Sequence, residues 1–98
     1  MQEPNENDLI RDQARAARAE ALLRDELLTE AFDKLEKSYT EEMILTGVGE
    51  ADSYKRDRLH QAIHILRKVR GYLGKVVQDG KVARAHLVQI EGKRQRAA

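Results

Sequence analysis

Leu59, Ala62, Leu66, Val69, Leu73 and Val76 recur at alternating steps of three and four residues, and the count continues through Gly80, Ala83, Leu87 and Ile90. That spacing holds one apolar seam on one side of an α-helix, and a strand period of two cannot produce it. The seam predicts a helix from about residue 54 to about residue 91. Asp79-Gly80 favours a turn locally. An unbroken register across it favours a continuous helix, because a break has no reason to preserve heptad phase.

The rest of the chain points the same way. One Pro, one Phe, three Tyr and no Trp in 98 residues favour a nearly all-helical, single-domain protein. The absence of Cys removes disulfide frameworks, Cys-ligated metals and thiol nucleophiles. No apolar run exceeds three residues (Ala21-Leu22-Leu23, Met43-Ile44-Leu45), far too short for a membrane span. The opening Met-Gln-Glu-Pro-Asn-Glu-Asn-Asp carries no basic-then-apolar leader, so a cytoplasmic protein is expected.

Residues 1–7 are polar and read as a disordered start. From Asp8 a helix is expected to about residue 45, with Asn7 or Asp8 as N-cap. Ile10, Ala14, Ala17 and Ala21 share a face, and the phase continues to Leu28, Ala31 and Leu35 beside Phe32 and Tyr39. Arg24-Asp25 interrupts this stripe, and Asp25 could start a fresh helix there. Residues 46–53 form the one clear loop. Gly47 suits a left-handed helix end, and Asp52 or Ser53 suits the next cap. The Gly-x-Gly of Gly47 and Gly49 lacks the lysine, third glycine and preceding strand of a phosphate cradle, and reads as a helix–helix turn. Residues 92–98 read as a basic tail.

The expected architecture is a long antiparallel helical hairpin of two helices of about 38 residues, packing as an oligomeric bundle. Its formal charge of +1 conceals a division. Residues 1–52 hold six Lys/Arg against 14 Asp/Glu, a net −8, and residues 53–98 hold 12 against three, a net +9. An acidic arm therefore faces a basic one.

Two helices share one seam and enclose no core, yet the apolar surface is wider than one seam. Ile63 and Val77 flank it on one side, Ile65 and Tyr72 on the other, and Leu22, Leu23 and Leu27 widen the first arm. Such faces suit three or four packed helices. A homo-oligomer, dimer or larger, is the expectation. Its interface draws on Leu28, Phe32, Leu35, Tyr39, Leu59, Ile63, Leu66, Val69, Leu73, Val76, Leu87 and Ile90. Gly71 and Gly74 would admit a close neighbouring backbone.

No catalytic set emerges. His60 and His64 stand at the i, i+4 spacing of zinc hydrolases, but Gln61 occupies the glutamate position, so solvated histidines are expected. Glu41-Glu42 and Asp25-Glu26 are neighbours that point apart on a helix. Ser38 and Ser53 lack a base. No cofactor, metal or enzymatic activity is expected. The basic arm carries Arg67, Lys68, Lys75 and Lys81 on outward positions, with Lys93, Arg94 and Arg96 beyond, a pattern able to follow a phosphate backbone. Arg56, Arg70 and Arg84 repeat every fourteen residues along one flank. The competing reading is that these cations pair with the acidic arm, inside the hairpin or across subunits.

Ala19-Glu20-Ala21-Leu22-Leu23, Glu30-Ala31-Phe32, Arg58, Leu66-Arg67-Lys68-Val69 and Gly80-Lys81-Val82-Ala83 together resemble small all-helical proteins of tailed phages and prophages, over residues 19–87. Several members of that group carry Asn/Asp-Pro where this chain has Asp25-Glu26. The resemblance implies virion assembly or DNA packaging, with other phage structural proteins as partners and the host cytoplasm or virion as location. A DNA-binding module, such as a small-terminase-like subunit or regulator, is the alternative.

Overall fold

The computed structural model of the chain describes residues 5–97. They form three helices: α1 (Glu6–Arg24), α2 (Glu26–Leu45) and α3 (Glu50–Ala97). The disorder expected of residues 1–7 is corrected for Glu6 and Asn7, which are helical; residues 1–4 lie outside the described residues, as does Ala98. The Asn5 side chain accepts from the Asn7 backbone N–H at 2.8 Å, which places Asn5 rather than Asn7 or Asp8 at the helix start.

The first arm is two helices, not one of about 38 residues. Asp25 sits in extended backbone (φ −65°, ψ 120°), and its carboxylate accepts from the Leu28 N–H at 2.8 Å. A short acidic side chain satisfies an orphan donor of the following helix and leaves α1 to end at Arg24. At the far end Thr46, not Gly47, closes α2. Its extended backbone sends the N–H to the carbonyls of Glu42 and Met43, and its hydroxyl donates to the Glu42 carbonyl at 2.7 Å. No described glycine has a positive φ, so the expected left-handed Gly47 is absent. The next helix begins at Glu50, ahead of the expected caps Asp52 and Ser53.

α3 is one uninterrupted helix of 48 residues, through Gly80 and through the tail expected beyond Glu91. Basic residues in its last turn, Arg94 and Arg96, suit the negative end of the helix dipole.

The helices form two compact units. In the first, α1 packs on α3 from Tyr72 onward. Leu9, Ala16 and Ala19 are buried against Val76, Gly80 and Ala83. The stripe expected of α1 is thus out of phase: Ala14, Ala17 and Ala21 are exposed, and Ile10 is 52% exposed. A Cβ built on Gly80 would overlap the Ala16 methyl and lie 3.3 Å from the Asp12 carbonyl oxygen. Here the backbones meet, so small residues win the interface over larger apolar ones. Gly71 and Gly74 have nothing of their own chain within 4 Å of such a Cβ.

In the second unit, Arg24–Gly71, α2 runs antiparallel to the first part of α3. Leu28, Phe32, Glu36, Tyr39 and Met43 turn toward α3, all half-buried, and α2 has no buried residue. From α3, Leu59 and Ile63 are buried and Leu66 and Arg70 half-buried. The seam expected at Ala62 and Val69 is therefore shifted by one residue. Val69 is 44% exposed and Leu35 of α2 is 43% exposed, so neither lies in the packed contact.

Candidate interaction surface

Within Arg24–Gly71 the packed contact divides the helix pair into two flanks. One hollow of about 400 Å³ is lined by Thr40, Met43 and Ile44 of α2 and by His60, Ile63, His64 and Arg67 of α3. At 100° per residue, Ala31 and Leu35 lie on the opposite side of α2 from Thr40 and Ile44. By the same turn, Ala62, Ile65 and Val69 lie on the opposite side of α3 from His60, His64 and Arg67. The first flank sets the polar His60, His64 and Arg67 beside Met43, Ile44 and Ile63. The second carries mostly apolar residues, with Glu42 of α2 and Arg58 of α3 among them.

The polar flank explains the fate of several basic residues. Arg67 places Nε and Nη2 on one Glu36 carboxylate oxygen at 2.8 and 2.7 Å. Arg70 donates to Asp33 at 2.6 Å and to the Thr29 carbonyl at 3.3 Å, with its guanidinium 4.9 Å from the Phe32 ring centroid. Arg56, fourteen residues earlier on the same side of α3, donates to the carbonyls of Gly47 and Gly49 and ties down the loop. Two of the three arginines in the fourteen-residue repeat thus have a structural use: a long cation covers apolar surface with its stem and satisfies open carbonyls with its head. Periodicity located these arginines but gave no indication of their partners. Arg58 stacks on Tyr54 at 5.5 Å.

In the other unit Arg94 meets Glu6 at 2.5 Å. The hydrogen bond to Glu6, and then its charge, raise the Arg94 pKa above the ordinary guanidinium value. Arg15 donates to the Tyr72 hydroxyl at 3.2 Å beside a hollow of about 230 Å³ that Arg18, Ala19, Leu22, Leu73 and Val76 complete.

Of the residues expected to contact nucleic acid, Arg67 and Arg94 are committed to in-chain carboxylates, and Arg96 turns its Nε to the Gly92 carbonyl at 3.3 Å. Lys68, Lys75, Lys81 and Lys93 are exposed and make no ion pair among the described residues. Of the expected interface residues, Leu59, Ile63 and Val76 are buried within the chain. Leu28, Phe32, Tyr39, Leu66, Leu73, Leu87 and Ile90 are half-buried, and Leu35 and Val69 are open. His60 and His64 are both exposed, and among the described residues no group of three His, Cys, Asp or Glu could hold a metal ion. Among them, too, no helix is long and apolar enough to cross a membrane. No family model, no curated protein and no solved structure matches the chain.

Proposed function

We propose that this chain is a non-catalytic helical module whose function is self-association. The observation that carries this is unfinished packing. α2 buries no residue, none of the described side chains is fully buried, and Leu27, Ile44, Leu45, Val48, Tyr54 and Ile65 stand in solvent. Each helix pair covers one stripe of surfaces that are apolar over a wider arc, and association removes the remainder from water at about 25 cal/mol per Å². A role in virion assembly or packaging is the context that the sequence resemblance suggests for such a module. Light scattering tests the module itself: the expected mass is a multiple of 11.2 kDa. A monomer at high micromolar concentration would overturn the proposal.

DNA binding is the second reading, favoured by the unpaired lysines of α3. It predicts duplex affinity that falls steeply with salt and is lost in a Lys68→Glu, Lys75→Glu double variant of unchanged mass. Absence of binding at low salt removes it.

A further inference from the structure

We infer that His60 and His64 of α3, together with Met43 of α2, form a binding site for one soft metal ion, Cu(I). The site lies within Arg24–Gly71 and does not depend on self-association.

The two histidines stand at i and i+4, which sets both imidazoles on one face of α3. That face borders the hollow of about 400 Å³ beside α2. Register brings Met43 to the same place. Glu36 pairs with Arg67 and Asp33 with Arg70, so a step of three along α2 is a step of three back along α3. Seven residues past Glu36, two helical turns, this antiparallel register sets Met43 level with His60. Met43 is half-buried and lines the hollow with both histidines. Its thioether sits on an unbranched chain of three rotatable bonds, which lets the sulfur adapt to a ligand held by the opposite helix.

The donor set selects the ion. Two imidazoles and a thioether are neutral ligands, and soft sulfur beside imidazole nitrogen suits Cu(I). Mg²⁺ and Ca²⁺ require oxygen donors, and among the described residues no Asp or Glu makes a third with this histidine pair. Zn²⁺ draws on Cys, His and carboxylates and gains little from a thioether.

The rest of the lining is compatible with a monocation. The Arg67 charge is balanced by Glu36, whose carboxylate takes its Nε and Nη2. The Thr40 hydroxyl donates to the Glu36 carbonyl at 2.8 Å. Ile44 and Ile63 supply apolar wall, which penalises a doubly charged ion more than a singly charged one. Ligands drawn from both helices also tie α2 to α3, so bound Cu(I) stabilises this helix pair.

The test is anaerobic titration of the full chain with Cu(I), supplied as its acetonitrile complex and read by competition with bicinchoninate. One Cu(I) per chain is expected, with amide exchange in α2 slowed about tenfold on loading. His60→Gln and His64→Gln are each expected to weaken binding by about tenfold or more. His86→Gln, in the other unit, is expected to leave it unchanged. Met43→Leu, close in volume and checked for helicity by circular dichroism, separates the sulfur from the fold. It is expected to weaken Cu(I) by about tenfold and to leave Zn²⁺ binding by the histidine pair unaltered. X-ray absorption of the loaded chain is expected to show a sulfur neighbour that Met43→Leu removes. A copper with only nitrogen and oxygen neighbours, or a Cu(I) affinity indifferent to Met43→Leu, overturns the site. So does a wild-type chain that takes up no Cu(I), or one ion shared by two chains. A monomer that binds Cu(I) as described leaves this inference standing and overturns self-association alone.

Discussion

The two helix pairs meet in different ways. α1 and the later part of α3 touch through Ala16, Ala19, Gly80 and Ala83, so that backbone lies almost on backbone. α2 and the earlier part of α3 touch through Leu28, Phe32, Tyr39, Leu59, Ile63 and the long stem of Arg70, and nothing on α2 is buried. Small residues give a close contact in which Gly80 has no room for a side chain. Large residues leave α2 with no buried residue. Both pairs keep large apolar side chains in solvent, Ile10, Leu22 and Val88 in the first and Leu27, Ile44 and Ile65 in the second. The difference teaches that the two contacts are separated by their tolerance of added volume and not by how much apolar surface they leave exposed.

The sharpest way to break this contrast is Gly80→Val. The new side chain would enter space held by the Ala16 methyl and the Asp12 carbonyl, neither of which can swing aside. A loss of about 2–3 kcal/mol in urea unfolding is expected, with hydrogen exchange rising in α1 before α2. Equal loss of protection in both helices would show that the contacts are not distinct. A smaller effect is expected from Arg70→Ala, which removes the Asp33 ion pair, the bond to the Thr29 carbonyl and the cover over Phe32. The pair is partly in solvent, so about 1 kcal/mol is expected, with the loss of protection centred on α2. Smallest, and opposite in sign, is Gly71→Ala. Nothing lies within 4 Å of the added methyl, so the chain should gain about 0.5–1 kcal/mol from helix propensity alone. A loss at Gly71 would reveal a close neighbour there, supplied by another copy.

Much of this was legible in residues alone. The heptad count carried α3 through Asp79-Gly80, because register is a property of the whole run and outweighs one dipeptide's turn preference. Asp25 was recognisable as a cap, but that it ends α1 outright was not, since capping strength does not say whether a preceding helix bends or stops. The phase of α1 differs from its expected stripe for a physical reason. Periodicity weights Ile10 by its hydrophobicity, whereas a close crossing opposite Gly80 selects for the smallness of Ala16 and Ala19. Arg70 shows the same limit. A cation is assigned to solvent by type, and only a neighbouring carboxylate, carbonyl and ring make it a half-buried packing residue.

By itself the sequence determined that the chain is helical, where its one clear loop falls, and that its charge is divided between an acidic half and a basic half. Those follow from local propensity and from period, which each segment carries within itself. Tertiary structure decided which face of each helix is inside, that Gly80 and not Gly71 or Gly74 is the point of closest approach, and which arginines are taken up by carboxylates. These depend on what stands opposite each residue, and no single helix encodes its neighbour.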